Sequence, residues 1–330
     1  MIEIKKSKAR LWSRLGARAT LGQALLEAAK ERSDFYVASA DLAQSSGLGR
    51  FCEEFPERFI NAGIAEQNLI GVAAGMAKDG TNIFATSFAP FIAMRACEQV
   101  RMNMGYMQLN IKTVGLGSGL VMAQLGNSHF GIEDCAVMRA IPGMTVISPA
   151  DGVEIVKAVE ALCDYNKPAY LRLTGGPNLP IVYEEDIDLQ IGKAIKLRDG
   201  KDIGIIASGT MVYYGKQAAE LLSEKGIETT VLDMHTIKPL DREAIEALLD
   251  KKLIVTIEEA SIVGGLGSAV AECIAWRRNK PAQLMLGLRD VFPHAGSYQY
   301  LLEQCRLTGE QIAADIEAAL EILKKYEIEL

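Results

Sequence analysis

The chain has 330 residues, 49% hydrophobic and 23% charged, enough for two domains with cores of their own. A formal net charge of −7, with no basic run, RNA-binding block or zinc-finger spacing, argues against nucleic acid as a partner. No apolar run approaches the length of a membrane span, and the six cysteines are scattered with no Cys-x-x-Cys pair, which suits reduced thiols in the cytoplasm rather than a disulfide framework or a zinc site.

Residues 1–14 are charged and lack an apolar stretch, so they do not read as a secretory signal. Apolar spacing predicts a helix over 20–32, and β-type residues a strand over 35–40. A short strand over 58–60 leads into Asn61-Ala62-Gly63-Ile64-Ala65-Glu66-Gln67-Asn68, where Glu66 is the one charge among small and uncharged residues. An apolar Gly- and Ala-rich run over 69–76 follows and reads as a packed helix. A carboxylate at such a junction is costly to bury unless something bonds to it, although one at a helix start also stabilises the helix dipole. The alternation continues with a strand over 82–86, a Pro-led helix over 90–106, a strand over 111–115 and a helix over 132–139. A strand over 144–148, a helix over 152–165 and a strand over 169–173 complete this half.

Residues 174–191 then hold Gly175, Gly176, Pro177, Pro180 and the acidic run Glu184-Glu185-Asp186, a linker composition. The alternation restarts with strands over 203–207, 229–232 and 253–257 and helices over 212–224, 242–249 and 266–277. Strands alternating with helices imply an α/β fold of two doubly wound domains, each with a mainly parallel sheet covered on both faces. The expected boundaries are 15–175 for the first domain, 176–191 for the linker and 192–330 for the second domain.

Several blocks occur together in one order: Ser39-Ala40-Asp41-Leu42, the segment around Glu66, Met138-Arg139-Ala140-Ile141-Pro142-Gly143, Pro149-Ala150-Asp151, Met234-His235-Thr236-Ile237-Lys238-Pro239-Leu240-Asp241 and Gly264-Gly265-Leu266-Gly267-Ser268-Ala269. Through them the chain resembles the transketolase family and its relative deoxyxylulose-phosphate synthase. The likeness is closest to the free-standing C-terminal halves of split transketolases. Ordered blocks of this kind are more specific than any single motif.

The resemblance implies a pyrimidine-binding domain followed by a transketolase C-terminal domain, and dependence on thiamine diphosphate. It assigns Glu66 to a hydrogen bond with the cofactor's pyrimidine, which prepares the cofactor's own amine to take a proton from the thiazolium. Phe88 and Phe91 line and stack on that pyrimidine, whose flat ring suits an aromatic face. His129, in Gly126-Asn127-Ser128-His129-Phe130-Gly131, reaches the substrate oxygens, where an imidazole can give or take a proton near neutral pH. Arg18 and Ser45 match phosphate-binding positions. His235 reads as structural, and His294 has no assigned role.

The departures from the family pattern are Met94 for a Tyr, Gly117 for a His, Leu125 for an Asp that reads a sugar hydroxyl, and Gly175 near the place of an Arg. Losing the His and Arg weakens a phosphate site, and Leu125 favours an apolar neighbour, so a substrate other than a standard sugar phosphate is expected. The Gly-Asp-Gly that holds the diphosphate and its magnesium in full-length members is absent; Lys78-Asp79-Gly80 and Arg198-Asp199-Gly200 read as surface turns. The resemblance therefore implies an N-terminal partner subunit that ligates Mg2+, this chain itself forming a dimer within a heterotetramer, and transfer of a two-carbon ketol unit from a ketose to an acceptor. Two rivals remain: a deoxyxylulose-phosphate-synthase-like or 2-oxoacid-decarboxylating carboligase, and a non-catalytic scaffold subunit. The glycines at 264–267 invite a dinucleotide-binding reading, but the third glycine of the Gly-x-Gly-x-x-Gly pattern is absent and they are read as a helix-start turn.

Overall fold

The computed structural model describes residues 2–328. Helix α1 (Lys6–Leu15) and α2 (Ala17–Glu31) precede β1 (Phe35–Ser39), α3 (Gly49–Glu54), β2 (Phe59–Asn61), α4 (Glu66–Lys78) and β3 (Asn82–Phe88). After a wound segment that includes α5 (Cys97–Val100) come β4 (Ile111–Leu116), α6 (Asp134–Ala140), β5 (Thr145–Ile147), α7 (Gly152–Asp164) and β6 (Ala169–Arg172). The second half holds β7 (Ile195–Arg198), β8 (Ile203–Ala207), α8 (Met211–Glu224), β9 (Thr229–Asp233), β10 (Thr236–Lys238), α9 (Arg242–Glu246), β11 (Leu253–Ser261), α10 (Leu266–Ile274), β12 (Ala282–Leu288), α11 (Tyr298–Gln304) and α12 (Gly309–Ile328).

Two sheets result, ordered β10-β5-β6-β4-β3-β1-β2 and β12-β11-β8-β9-β7. Every pairing is parallel except the edges β10 with β5 and β7 with β9. The fold is α/β with mainly parallel sheets. Strand β4 is buried at all its positions, as the covered interior of a parallel sheet requires, and reads as an unbroken Ile-Lys-Thr-Val-Gly-Leu run rather than an alternating one. Lys112 in that run reaches the backbone carbonyl of Lys167 at 3.0 Å. Trp12 of α1 is buried against the start of α7 so closely that a Cβ at Gly152 would lie 2.6 Å from its own Cβ.

Helix α7 begins at Asp151, whose Oδ1 accepts from Glu154 N at 3.0 Å, an N-cap. Its Oδ2 accepts from Val182 N and Tyr183 N at 2.8 and 2.7 Å, so the Pro149-Ala150-Asp151 block both starts a helix and ties down the segment between the sheets. The Gly264-Gly265 turn opens α10 as expected, and the buried Glu258 carboxylate accepts from Leu266 N and Gly267 N at 2.7 and 2.8 Å.

The sequence reading passed over α1, α3 and β7, and further features differ from it. The helix expected over 90–106 is widened at both ends: Ala96 N bonds back to Phe91 O, and Met107 N to Met102 O, across five residues instead of four. Strand β10 lies past the linker, yet pairs with β5 of the first sheet, Thr236 facing Ile147 and Lys238 facing Val146. Lys238 Nζ donates to the carbonyls of Arg139 and Ile141 at the end of α6, satisfying oxygens that a helix end leaves open. Beyond 277 the chain adds β12, α11 and α12, and α12 packs on α8. One apolar cluster runs from Leu69, Ile83 and Val146 in the first half to Ile237, Ile254 and Leu266 in the second, so the two sheets share a core. Among the described residues no helix is long and apolar enough to cross a membrane.

Candidate active site

Glu66 is the first residue of α4, just past β2, and is 3% exposed. Its side chain turns inward. Oε1 accepts from Ser87 Oγ on β3 at 3.2 Å, and Oε2 accepts from Arg95 Nη1 at 2.9 Å. The helix start thus receives a negative charge, but the carboxylate is committed to two side-chain donors rather than to the dipole alone.

The Arg95 guanidinium also lies 4.1 Å from the centre of the Phe91 ring. Phe91 and Phe88 meet edge-on with centroids 6.1 Å apart, and the His129 ring stands edge-on to both, at 5.2 Å from Phe91 and 5.8 Å from Phe88. Glu66, Arg95, Phe91, Phe88 and His129 therefore form one continuous line of contacts. It is built from segments that leave the carboxyl ends of β2, β3 and β4, the edge of a parallel sheet where such folds place their ligands. The widened turn at Phe91–Arg95 is what aims Phe91 and Arg95 at the same spot, as π-type turns often do at functional sites. Sequence reasoning missed Arg95. Its only signal was its spacing, one helical turn after Phe91.

His129 closes a short turn, its N–H bonding to Gly126 O at 2.9 Å, with Ser128 Oγ 2.9 Å from its Nδ1. Leu125, in the same loop, is 52% exposed and stands outside the Phe88–Phe91–His129 contacts. Arg18 and Ser45 come together elsewhere, lining a cleft of about 310 Å3 with Gln44, Gly175, Gly176 and Pro177. Partial burial lowers the Arg18 pKa without a carboxylate to offset it.

The small residues at two of the departures are demanded by the backbone. Gly117 has φ +62°, and a Cβ there would lie 2.9 Å from Met122 Sδ. Gly175 has φ +82°, and a Cβ would collide with Leu179 Cδ1 and approach Thr210 Cγ2. Neither position has room for an imidazole or a guanidinium. His235 is buried; its Nδ1 lies 2.9 Å from Thr236 Oγ1, and burial lowers its pKa to about 4, so it is neutral and structural. His294 lines a surface cleft with Phe292 and Tyr300, apart from this site.

Comparison with known families matches residues 14–176 to the transketolase pyrimidine binding domain and residues 192–312 to the transketolase C-terminal domain. A putative transketolase C-terminal section of Methanocaldococcus jannaschii is 42% identical over 312 residues, which is 94% of this chain and 97% of that one. The chain belongs to the transketolase family. A 6-deoxy-6-sulfo-D-fructose transketolase subunit of Clostridium sp. is 40% identical over 93% of this chain and 94% of its own length. A solved split-gene transketolase, an inactive β4 tetramer, superposes with a TM-score of 0.84 at 38% identity, covering 93% of this chain and 98% of that one. Within this transketolase-family chain, no three His, Cys, Asp or Glu side chains among the described residues converge as a metal-binding group.

Proposed function

We propose that this chain is the pyrimidine-binding half of a split transketolase, with 15–175 as the pyrimidine-binding domain and 192–330 as the C-terminal domain. It works with an N-terminal partner subunit that brings the diphosphate and Mg2+ site, and together they move a two-carbon ketol unit from a ketose donor to an acceptor. The observation that carries this reading is the buried Glu66 carboxylate facing a planar N–H donor stacked on Phe91. That donor is Arg95. A flat, cationic group bonded to Glu66 and resting on Phe91 supports a place here for the shape and polarity of an aminopyrimidine. Arg95 is 48% exposed at its side chain, so it can withdraw without opening the core.

When bound, thiamine diphosphate supplies the carbanion chemistry of ketol transfer. Glu66 holds a proton at a pyrimidine nitrogen, and its burial keeps water from competing for that bond. Phe88 and Phe91 orient the ring. His129, packed against both, moves a proton at a substrate oxygen. Arg18 and Ser45 give the cleft beside Gly175 one cation and one hydroxyl, a thin set for a phosphate dianion. The acceptor is therefore a compound other than a standard sugar phosphate, with an apolar portion near Leu125. The relative named as a 6-deoxy-6-sulfo-D-fructose transketolase subunit supports this latitude.

The test is the purified complex with its partner subunit. Glu66→Gln keeps a hydrogen-bonding group but cannot carry the proton, and should cut turnover by at least about a hundredfold; Glu66→Ala should do the same with weaker cofactor binding. A Glu66→Gln complex that turns over like the parent would overturn the assignment. In the same assay ribose 5-phosphate should be a poor acceptor, and efficient use of it would remove the argument from Gly117, Leu125 and Gly175.

A further inference from the structure

Glu259, on β11 of the second domain, is 1% exposed and makes no contact with the Glu66–His129 line, yet its carboxylate is fully committed. Oε1 accepts from Leu120 N at 2.7 Å; Oε2 accepts from Thr210 Oγ1 at 2.8 Å and Tyr298 Oη at 2.7 Å. Each donor belongs to a different segment.

Leu120 opens the loop that carries Leu125 and His129. That loop contains no strand and only a single short turn of helix, and it is closed at its neck by Gly119 N to Gly131 O at 2.8 Å and Gly131 N to Gly119 O at 3.1 Å. Thr210 is buried; its N–H donates to Thr174 Oγ1 at 3.1 Å, and its Oγ1, whose proton goes to Glu259, lies 3.3 Å from the same Thr174 hydroxyl, on the residue before Gly175 in the Arg18–Ser45 cleft. Tyr298 ends a segment that leans on the first loop, Gly296 N bonding to Ala123 O at 3.2 Å and Ala295 lying against Gly126. The approach is close enough that a Cβ at Gly119, where φ is +70°, would collide with Glu259 Oε1. Arg172, paired with Asp134 at 3.0 Å, donates from Nη2 to both Gly131 O and Glu259 O, at 3.1 and 2.8 Å, and places a positive charge beside the same junction.

We propose that Glu259 is a positioning residue: one buried carboxylate from the second domain fixes, at once, the loop bearing Leu125 and His129, the wall of the Arg18–Ser45 cleft, and the segment ending at Tyr298, and so sets the acceptor side of the active centre. The proposal rests on the functional reading above. A short loop without regular structure cannot hold an imidazole to catalytic tolerance on its own, and small misplacements of such groups are costly to rate. A carboxylate is the suitable group because each of its oxygens accepts from donors that approach from different directions. It also gives this chain's second domain, which contributes no residue to the Glu66–His129 line, a part in ordering the loop that carries His129.

The complex with the partner subunit is the material for the test. Glu259→Ala should lower acceptor kcat/KM by about ten- to a hundredfold while thiamine diphosphate affinity stays within about threefold, because the Glu66 and Phe91 contacts are untouched. Amide hydrogen exchange should quicken over 119–131 and stay as before over 66–78. Glu259→Gln should lose less than about tenfold: its carbonyl still accepts from Leu120 N, and the Thr210 and Tyr298 hydroxyls can reverse. Tyr298→Phe removes a single hydroxyl from the junction, so it tests the idea even if Glu259→Ala does not fold; it should raise acceptor KM and 119–131 exchange in the same direction. Parallel losses of cofactor affinity and acceptor efficiency would overturn the proposal, as would unchanged acceptor KM and exchange in both Glu259→Gln and Tyr298→Phe. Absence of ketol transfer in the parent complex would instead sink the functional reading, and the exchange pattern would still report whether Glu259 orders the loop.

Discussion

At the scale of single residues, the Glu66–Arg95 pair links the stability of the chain to the proposed cofactor site. Arg95→Met leaves the carboxylate with only the Ser87 hydroxyl. Because the guanidinium is half exposed, solvent screens part of the loss, and the lone subunit should be destabilised by about 1–2 kcal/mol. The deficit should shrink in the cofactor-loaded complex, where the pyrimidine replaces the missing donor. Thermal melts of the free and loaded variant check this; equal losses in both states would show that Arg95 and the cofactor do not share Glu66. Glu66, Phe88, Phe91 and His129 could be singled out from the sequence because they lie in blocks with a distinctive order, and the folded chain brings them into one line. Arg95 could not, because an arginine on a helix is ordinarily a solvated residue, and only the widened turn points it at Glu66. Glu259 was hidden for a similar reason: its three partners are dispersed at 120, 210 and 298.

At the scale of elements, the junction between α7 and β9 stores a titration. Asp233 is buried, and burial raises its pKa to about 7, although Tyr183 donates to Oδ2 at 2.7 Å. Glu154 on α7 is raised well above its ordinary value by burial and by the Asp233 charge, while Ala150 N donates to its Oε2 at 2.5 Å. The remaining oxygens, Glu154 Oε1 and Asp233 Oδ1, accept no hydrogen bond, and a proton shared by the two carboxyls satisfies both. Asp151 adds a third buried carboxyl on the same side, its pKa also raised by burial. An unfolded Asp titrates near about 4. The native state therefore holds protons that the unfolded chain has released, and this contribution to stability is present below about pH 4 and is lost as pH rises through about 7. His235 acts in the opposite sense, its lowered pKa giving stability above its unfolded value that is lost as pH falls toward about 4. The difference between variant and parent isolates the pair: Asp233→Asn, neutral throughout, should lose less stability than the parent between about pH 4 and 7 in urea titrations. Equal slopes would contradict the shared proton. Most strands and helices were legible because buried parallel strands are continuous apolar runs and the helices carry amphipathic spacing. Strand β10 was not, since three residues after a turn give no periodicity, and its partner is a strand nearly a domain away in sequence.

At the scale of the whole molecule, the change in composition over 174–191 separates two runs of alternating elements, but a linker composition does not disclose that β10 returns to the first sheet or that one core spans both sheets. That shared core is why a charge on β11 can hold a loop after β4. The same scale exposes an incomplete surface. Ile64, Met94, Tyr106 and Met107 are large apolar side chains left in water, and Ile64 and Met94 flank Glu66 and Arg95 in sequence. Exposed apolar side chains of this size are suited to burial against other subunits. The chain matches nearly the whole length of relatives that are themselves described as a C-terminal section or a subunit.

The most direct measurement is to recover tagged chain from its native lysate, identify the bound proteins by mass spectrometry, and assay the complex for thiamine diphosphate. The account predicts a stoichiometric partner bearing Gly-Asp-Gly with a downstream Asn, and cofactor retained in the complex. Recovery of this chain alone, without cofactor, would contradict it and leave a protein that kept the transketolase fold without its chemistry.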